Sequence, residues 1–366
     1  MHRRPERLER LPEQYFVALL GRVAAEAARG GEPLVNFGRG NPEVGPPPHV
    51  LEAAQRAAAD ERSHGYPEFR GLPELRDAVA RRYRDVYGVE VDAEREVAVV
   101  PGTKSALVEL CLVTAERGDT VLLPDPGYPD YFSAVALAGA TLATFPALEP
   151  ELPPARVAYL NYPSNPCAIG APHGVFAAAV EWAERHDAAV VHDFAYGDLV
   201  FDGRRPESFL ATPGAKDVGV ELFSMSKSYG MAGWRLGFVV GNAELVERIN
   251  LLQDHTRAGV FRAVQEAGVA ALVGPQESVE DRRARYEARR DRVLAAVPGA
   301  ISEGTFYVWF ELPAGLTCER LLTEQRLALA PGEGFGPRGE GWARISVAVA
   351  DDVVDVGLER LVEALS

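Results

Sequence analysis

The middle of the chain alternates short apolar runs with amphipathic segments of helical period. In the intervening segments, such as "KSALVELCLVTAE" and "GVFAAAVEWAERH", apolar residues recur every three or four positions. Strands that are apolar throughout and alternate with helices indicate a mostly parallel sheet covered on both faces. The pattern therefore predicts an α/β fold, with strands at residues 97–100, 120–124, 141–146, 157–161, 188–193, 219–224 and 236–241.

The C-terminal part of the chain follows a different pattern. A long, charged helical stretch at 277–297 precedes two segments, 304–313 and 342–350, that alternate like half-exposed strands. A last helix is predicted near the C-terminus. We therefore predict three parts: a large domain of residues 46–275, a smaller α+β domain that combines residues 15–45 with 276–366, and an N-terminal arm of residues 1–14.

Composition and charge narrow the class of protein. The 366 residues are 47% hydrophobic and 25% charged, which is typical of a soluble globular protein. A net charge of −15 argues against nucleic acid as a partner, because phosphate backbones attract positive surfaces. No apolar run approaches a membrane span, and none follows the basic start as in a secretory signal. Three cysteines without metal-ligand spacing fit a reducing compartment, so we expect a cytoplasmic protein without a metal site.

Polar residues follow several of the predicted strands, where the ligand crevice of such sheets lies. After 97–100, Gly102 and a predicted N-cap, Thr103, open a helix whose free N–H groups suit a phosphate. Tyr128 follows the next strand in a turn, where its ring could lie over a flat ligand. Asn165 follows 157–161 and could direct its carboxamide into the crevice. Gly102, Thr103 and Tyr128 could instead have structural roles: a glycine needed for packing, a helix cap, and an aromatic residue that fills space at the start of a helix.

An acid and a lysine follow two further strands. Asp193 ends an apolar run, and its burial costs several kcal/mol unless it finds a partner. Lys227 is one of only three lysines among 38 basic residues, and serines flank it. A neutral lysine amine attacks carbonyl groups, whereas arginine stays protonated and forms no Schiff base. Eight residues later, Arg235 offers a planar fork suited to phosphate. With Tyr196, this set matches what pyridoxal phosphate requires of a protein.

The motifs together resemble those of the pyridoxal-phosphate-dependent aminotransferases of the aspartate aminotransferase fold (class I/II). The resemblance runs from about residue 8 to the C-terminus, and the sequence as a whole is most similar to a methionine-salvage subgroup of this family. It implies fold type I of the PLP-dependent transferases. The motifs that carry it are "NFGRGNPE", "GYPEFRGLPELRDAV", "YPSNP", "HDFAY", "SMSKSYGMAGWRLG" and "PGEGFGPRGEGWARIS".

The resemblance implies a role for each residue around the cofactor ring. Lys227 would form the Schiff base and later move the proton, and Asp193 would keep the pyridine nitrogen protonated. Asn165 and Tyr196 would bond the ring hydroxyl, while Tyr128 would stack on the ring.

The same resemblance implies the phosphate and substrate contacts. Arg344, the Gly40 backbone and Asn165 would bind the α-carboxylate of the substrate. Tyr66 would reach the phosphate of the neighbouring subunit, which requires a homodimer with shared active sites. The phosphate of its own subunit would contact Gly102, Thr103, Lys104, Ser224 and Arg235.

The expected activity is transfer of an amino group between an L-amino acid and a 2-oxo acid by a ping-pong mechanism. Two alternatives share the cofactor: a C–S β-lyase, and a cofactor-sensing regulator, which would need a basic DNA-binding domain that we do not find before the arm. Arg257 or Arg262 could bind a distal substrate carboxylate, or both could be surface arginines. Cys167 and Ala168 stand where the family has Thr-Gly, so the hydrogen bonding of the turn after Asn165 is not predicted from the sequence.

Overall fold

The structure, a computed structural model, describes residues 4–148 and 150–365. Residues 1–3 of the predicted arm, residue 149 and residue 366 lie outside the described residues. Within the described ranges the strands are β1 (Val35–Asn36), β2 (Val97–Val100), β3 (Thr120–Asp125), β4 (Thr141–Pro146), β5 (Val157–Asn161), β6 (Ala189–Asp193), β7 (Gly219–Ser224), β8 (Gly237–Gly241), β9 (Tyr307–Glu311), β10 (Leu327–Ala328), β11 (Ala330–Pro331) and β12 (Trp342–Ser346).

Several helices begin at residues that favour helix starts: α3 and α4 carry proline in the first turn, and the Asn242 side chain caps α10. No helix in the described part of the chain has the length and apolar character needed to cross a membrane. In chain order they are α1 (Glu6–Glu9), α2 (Tyr15–Ala28), α3 (Pro48–Ala59), α4 (Pro73–Arg82), α5 (Thr103–Thr114), α6 (Asp130–Ala138), α7 (Val175–His186), α8 (Ala215–Val218), α9 (Met225–Ser228), α10 (Ala243–Thr256), α11 (Arg262–Val273), α12 (Glu277–Ala296), α13 (Cys318–Glu324) and α14 (Asp351–Leu365).

The central sheet has seven strands in the order β2-β8-β7-β6-β5-β3-β4. Every neighbouring pair is parallel except the two pairs that involve β8. The predicted α/β class, with a mostly parallel seven-stranded sheet, is confirmed, and the predicted strand ends differ from the observed ones by at most one residue. Neighbouring residues of one strand pack into different apolar clusters, as Val121 and Leu122 of β3 do, because helices cover both faces.

The strands of the three-stranded antiparallel sheet β11-β12-β9 are more buried than the sequence predicted. The segments that alternate like half-exposed strands are buried on both faces, from Tyr307 to Phe310 in β9 and throughout β12 after its first residue. On one face Val308 packs with Val293 of α12, and on the other Trp309 packs with Leu19 of α2. Two segments far apart in the chain cover the sheet, which no local pattern shows.

The chain after α2 joins the C-terminal part through hydrogen bonds. β1 pairs in parallel with β10, with Val35 opposite Leu327. The pairing joins β1 to the C-terminal part of the chain, while the grouping of residues 15–45 with 276–366 as one domain stays a prediction. The boundary near residue 275 falls between α11 and α12 and stays a prediction.

Candidate active site

A cavity of about 410 Å³ lies at the carboxyl ends of the central strands. In parallel strands these ends meet at one edge, so residues that follow different strands converge there. Most of the site residues predicted from the sequence line this cavity: Gly40, Thr103, Lys104, Tyr128, Asn165, Asp193, Tyr196, Ser224, Lys227 and Arg235.

Lys227 stands in the short helix that follows β7. The Ser224 hydroxyl caps this helix by accepting a hydrogen bond from the Ser226 N–H at 3.2 Å. The Lys227 Nζ lies 5.8 Å from the ring centroid of Tyr196. Burial lowers the pKa of Lys227 from 10.5 to about 8, and the positive charges of Arg344 and Arg235 act in the same direction. About a tenth of such amines are neutral at pH 7, which is the form that attacks a carbonyl carbon.

The Asp193 carboxylate is held at the end of β6 by two hydrogen bonds. The Tyr131 hydroxyl donates to Oδ2 at 2.8 Å, and the Ala195 N–H donates to Oδ1 at 3.2 Å. Burial raises the pKa of Asp193, while both hydrogen bonds oppose that shift by stabilising the charged form. Tyr131 was not predicted from the sequence, although it lies only three residues after Tyr128.

Asn165 connects the cofactor side of the cavity with Arg344. Arg344 is not among the residues that line the cavity, but it is fully buried next to Asn165, which does line it, and its Nη1 donates to Asn165 Oδ1 at 2.6 Å. The Arg344 Nε is buried without a hydrogen-bond partner in the described part of the structure. The backbone N–H of Asn165 donates to Asn161 Oδ1 at 2.7 Å, which ties the main chain at Asn165 to the last residue of β5. Asn161 also lines the cavity and was missed, although it ends β5.

Tyr307 of β9 is a third residue that was not predicted from the sequence. Its hydroxyl accepts a hydrogen bond from the Tyr196 hydroxyl at 3.1 Å, and its ring centroid lies 3.9 Å from the Arg344 Cζ. A Cβ atom on Gly40 would lie 1.9 Å from the Tyr307 Oη, so only glycine fits there. Tyr307 therefore links the predicted ring-hydroxyl contact to the predicted carboxylate site.

The start of α5 forms an anion site together with Arg235. Gly102, and not Thr103 as predicted, takes the N-cap position, with φ +84°, and no side chain caps the first turn. A Cβ on Gly102 would lie 2.2 Å from the Arg235 Nη2, so glycine is what allows the guanidinium to approach. Uncapped N–H groups, the helix dipole and a guanidinium together suit a phosphate.

Two of the predicted phosphate contacts, Lys104 and Tyr66, differ from the others in their surroundings. The Lys104 Nζ forms an ion pair with Asp130 Oδ1 at 3.0 Å at the edge of the cavity. Tyr66 lies outside the cavity of this chain with 89% of its surface exposed. A single chain therefore does not bring Tyr66 to its own site.

Arg257 and Arg262 do not reach the cavity of this chain. Arg257 forms an ion pair with Glu109, and the Arg262 Nε lies 2.7 Å from Glu266 Oε1. Both arginines have partners on their own subunit, which favours the structural alternative for them.

The turn after Asn165 still places Asn165 at the cavity, although Cys167 and Ala168 stand where the family has Thr-Gly. Cys167 is fully buried, and Ala168 adopts φ +54°, a conformation that glycine adopts with less strain. The Ala168 N–H donates to the Ser164 carbonyl at 3.0 Å, which closes the turn. Asn165 therefore still lines the cavity.

The donor set fits pyridoxal phosphate. The cavity offers a partly neutral amine, a carboxylate, an amide with a phenol, and an anion site in which any side chain on Gly102 would displace Arg235. This is the combination that the aldehyde, ring nitrogen, ring hydroxyl and phosphate of the cofactor require.

Comparison with known proteins agrees with this chemistry. The family model described as Aminotransferase class I and II matches residues 32–361. The chain belongs to this family. Members of the family depend on pyridoxal phosphate, and the protein is an aminotransferase. Amino-group transfer, the first of the three functions considered from the sequence, is thereby confirmed.

Several relatives are similar over nearly their whole length. An L-glutamine–4-(methylsulfanyl)-2-oxobutanoate aminotransferase of Bacillus subtilis is 42% identical, covering 98% of this chain and 93% of the relative. An LL-diaminopimelate aminotransferase of Dehalococcoides mccartyi is 36% identical, covering 97% of each chain. The substrate-bound structure of BacF from B. subtilis superposes with a TM-score of 0.94 at 34% identity, covering 100% of this chain and 98% of that one.

Proposed function

We propose that this aminotransferase works by a ping-pong exchange in which the Lys227 amine is the catalytic group. The observation that carries the proposal is the lowered pKa of Lys227, about 8, at the cavity formed by the predicted cofactor contacts. When bound, pyridoxal phosphate supplies an aldehyde that takes up the amino group and a ring that accepts electrons.

Each of the other functions at the site is assigned to a particular side chain. The neutral Lys227 Nζ accepts the proton of the substrate Cα and then releases it on the same side of the cavity. Such positioned proton transfer contributes roughly 10²–10⁴-fold in rate. Asp193, held by Tyr131, balances the positive charge of a ring N–H. Asn165 would donate to the ring oxygen, and Tyr196 would do so once its hydroxyl proton turns from Tyr307 to the ring. Tyr128 would cover the ring.

The phosphate contacts and the α-carboxylate contacts lie in different parts of the chain. Arg235 and the first turn of α5 would hold the phosphate, with the Ser224 hydroxyl as an additional donor. Arg344, Asn165 and the backbone of Gly40 would hold the substrate α-carboxylate. The buried Arg344 Nε without a partner supports this assignment, because a buried guanidinium N–H is costly to leave unpaired.

For the side chain of one substrate we propose an unbranched apolar group of the methionine type. Phe16, Leu19 and Leu20 of α2 form an apolar part of the cavity. Apolar walls of this kind bind thioether and aliphatic side chains by excluding water. The name of the B. subtilis relative, which includes 4-(methylsulfanyl)-2-oxobutanoate, supports the same substrate class.

We also propose a homodimer in the cytoplasm. Tyr66 is 89% exposed, and the aromatic residues Phe69 and Phe261 near it are about half exposed. Phe261 lies 6.2 Å from the His64 ring, so these side chains belong to one surface. A second copy that covered this surface would bring Tyr66 to the partner's phosphate site. Three buried cysteines, all free, agree with a reducing compartment.

The test replaces Lys227 by alanine and uses Lys104→Ala as the matched control, since both lysines line the cavity. We expect Lys227→Ala to lower the half-reaction rate with methionine by at least about 10²–10⁴-fold, because no general base remains. Borohydride reduction followed by peptide mapping should place the cofactor on residue 227 in the wild type and in Lys104→Ala. An adduct on another lysine, or normal turnover in Lys227→Ala, would reject the assignment.

A further inference from the structure

One cationic side chain of the cavity has no assigned role. Within the described residues the cavity wall carries four cations, of which Lys227 and Arg235 serve the cofactor and Lys104 is paired with Asp130. The fourth is Arg39, which is exposed and has no hydrogen-bond or ion-pair partner within residues 4–148 and 150–365. Its positive charge is therefore available to a ligand in the cavity.

The backbone on both sides of Arg39 is fixed at the substrate end of the site. The Gly38 carbonyl accepts a hydrogen bond from the Arg344 Nη2 at 3.1 Å. On the other side, Gly40 lies against the Tyr307 hydroxyl so closely that no Cβ would fit. The long Arg39 side chain therefore starts beside the proposed α-carboxylate site, while no hydrogen bond or ion pair to another described residue holds its guanidinium.

We propose that Arg39 binds the distal carboxylate of a dicarboxylic amino acid such as glutamate, and so determines one of the two substrates. This inference rests on the proposed function, which it extends to the amino donor. A guanidinium matches a carboxylate in charge and can form two parallel hydrogen bonds with it.

An unpaired arginine also suits an enzyme that uses one cavity for two substrates. When a methionine-type side chain occupies the apolar wall of α2, Arg39 can stay in solvent without breaking any contact. When a dicarboxylic substrate enters, the same side chain gains a charged partner. Arg39 therefore favours one substrate class without excluding the other.

The experiment compares Arg39→Gln with Arg22→Gln in the holoenzyme. Arg22 is an exposed arginine of α2 outside this cavity, so the control removes the same charge nearby. We expect Arg39→Gln to lower kcat/KM of the glutamate half-reaction about ten- to hundredfold, the range for a lost charged hydrogen-bond pair. The half-reactions with methionine and glutamine should change less than about threefold, and Arg39→Lys should recover part of the glutamate rate.

A binding measurement separates recognition from turnover. Glutarate should perturb the cofactor absorbance of the wild type at lower concentration than butyrate, and Arg39→Gln should abolish that difference. Added salt should weaken only the glutarate binding of the wild type, because an exposed ion pair is screened.

Two outcomes would overturn the role of Arg39: an equal loss for glutamate and methionine, or no loss for either. In both cases methionine turnover by the wild type and its Lys227 adduct would leave the proposed function standing. If no amino acid is converted by the wild type, the proposed function fails and this inference falls with it.

Discussion

At the scale of single residues, burial decides the chemistry of Lys227. Its ammonium form loses hydration in the protein and lies near the charges of Arg344 and Arg235, so the pKa falls to about 8. Asp193 opposes this shift but does not cancel it. A surface lysine would stay protonated at neutral pH and would react slowly with an aldehyde.

The lowered pKa predicts how cofactor uptake depends on pH. Because the neutral amine reacts, the rate of pyridoxal phosphate uptake by the apoprotein should rise about tenfold per pH unit below 8 and level off above it. Stopped-flow absorbance measures this rate. In Arg344→Gln the midpoint should move to higher pH, since one charge that disfavours the ammonium is gone. A wild-type midpoint near the ordinary lysine value of 10.5 would contradict the prediction.

At the scale of elements, α2 shapes the substrate end of the cavity. Its first residue, Tyr15, donates a hydrogen bond to the Pro331 carbonyl at 2.8 Å and packs against Phe335. The turn that holds it has no room for a side chain, because a Cβ on Gly334 would lie 1.9 Å from the Tyr15 ring. The position of the apolar wall therefore depends on one glycine outside the cavity.

Gly334→Ala should displace the first turn of α2, raise KM for methionine several-fold and destabilise the protein by about 1–3 kcal/mol, as overpacking does. Steady-state kinetics and thermal unfolding measure both effects. Gly21→Ala, in the same helix with open space around it, is the control. It should leave KM unchanged and stabilise the fold by about 0.5–1 kcal/mol, because alanine is the better helix former. Equal KM values in the two variants would show that α2 does not shape the site.

At the scale of the whole molecule, the exposure of Tyr66 predicts active sites shared between subunits. Lys227→Ala and Tyr66→Ala should each be impaired as homodimers. A mixed dimer would contain one intact site, formed by Lys227 of one subunit and Tyr66 of the other.

Random mixing of the two variants should therefore restore about a quarter of the wild-type activity, since half of the dimers are mixed and each has one of two sites intact. Activity after unfolding and refolding the mixture together measures this. Separately refolded variants that are mixed afterwards provide the control, and activity that stays additive would contradict the sharing of sites.

The sequence predicted the central sheet and much of the site because both depend on local rules. A strand buried on both faces reads as a nearly continuous apolar run, so β5 and β7 could be located to the residue, although β7 includes the buried Glu221. Residues that follow parallel strands must meet at one edge, so Asp193 and Lys227 could be placed together before any coordinates were known.

Other contacts could not be predicted because they join distant parts of the chain. Tyr307 bonds Tyr196 across 111 positions, and Arg344 bonds Asn165 across 179. The burial of β9 arises from α2 on one face and α12 on the other, so its alternation wrongly suggested exposure.

The amino-acid sequence alone is sufficient to predict the fold class, and it also predicts one reactive lysine and the other groups that a cofactor would need. These follow from periodicity, from residue chemistry and from the order of the strands. The folded structure was needed to show which side chains lack hydrogen-bond partners among the described residues, such as Arg39 and the Arg344 Nε, and how far the pKa of Lys227 falls. Partners and pKa shifts depend on distances and burial, which exist only after distant segments have packed against one another.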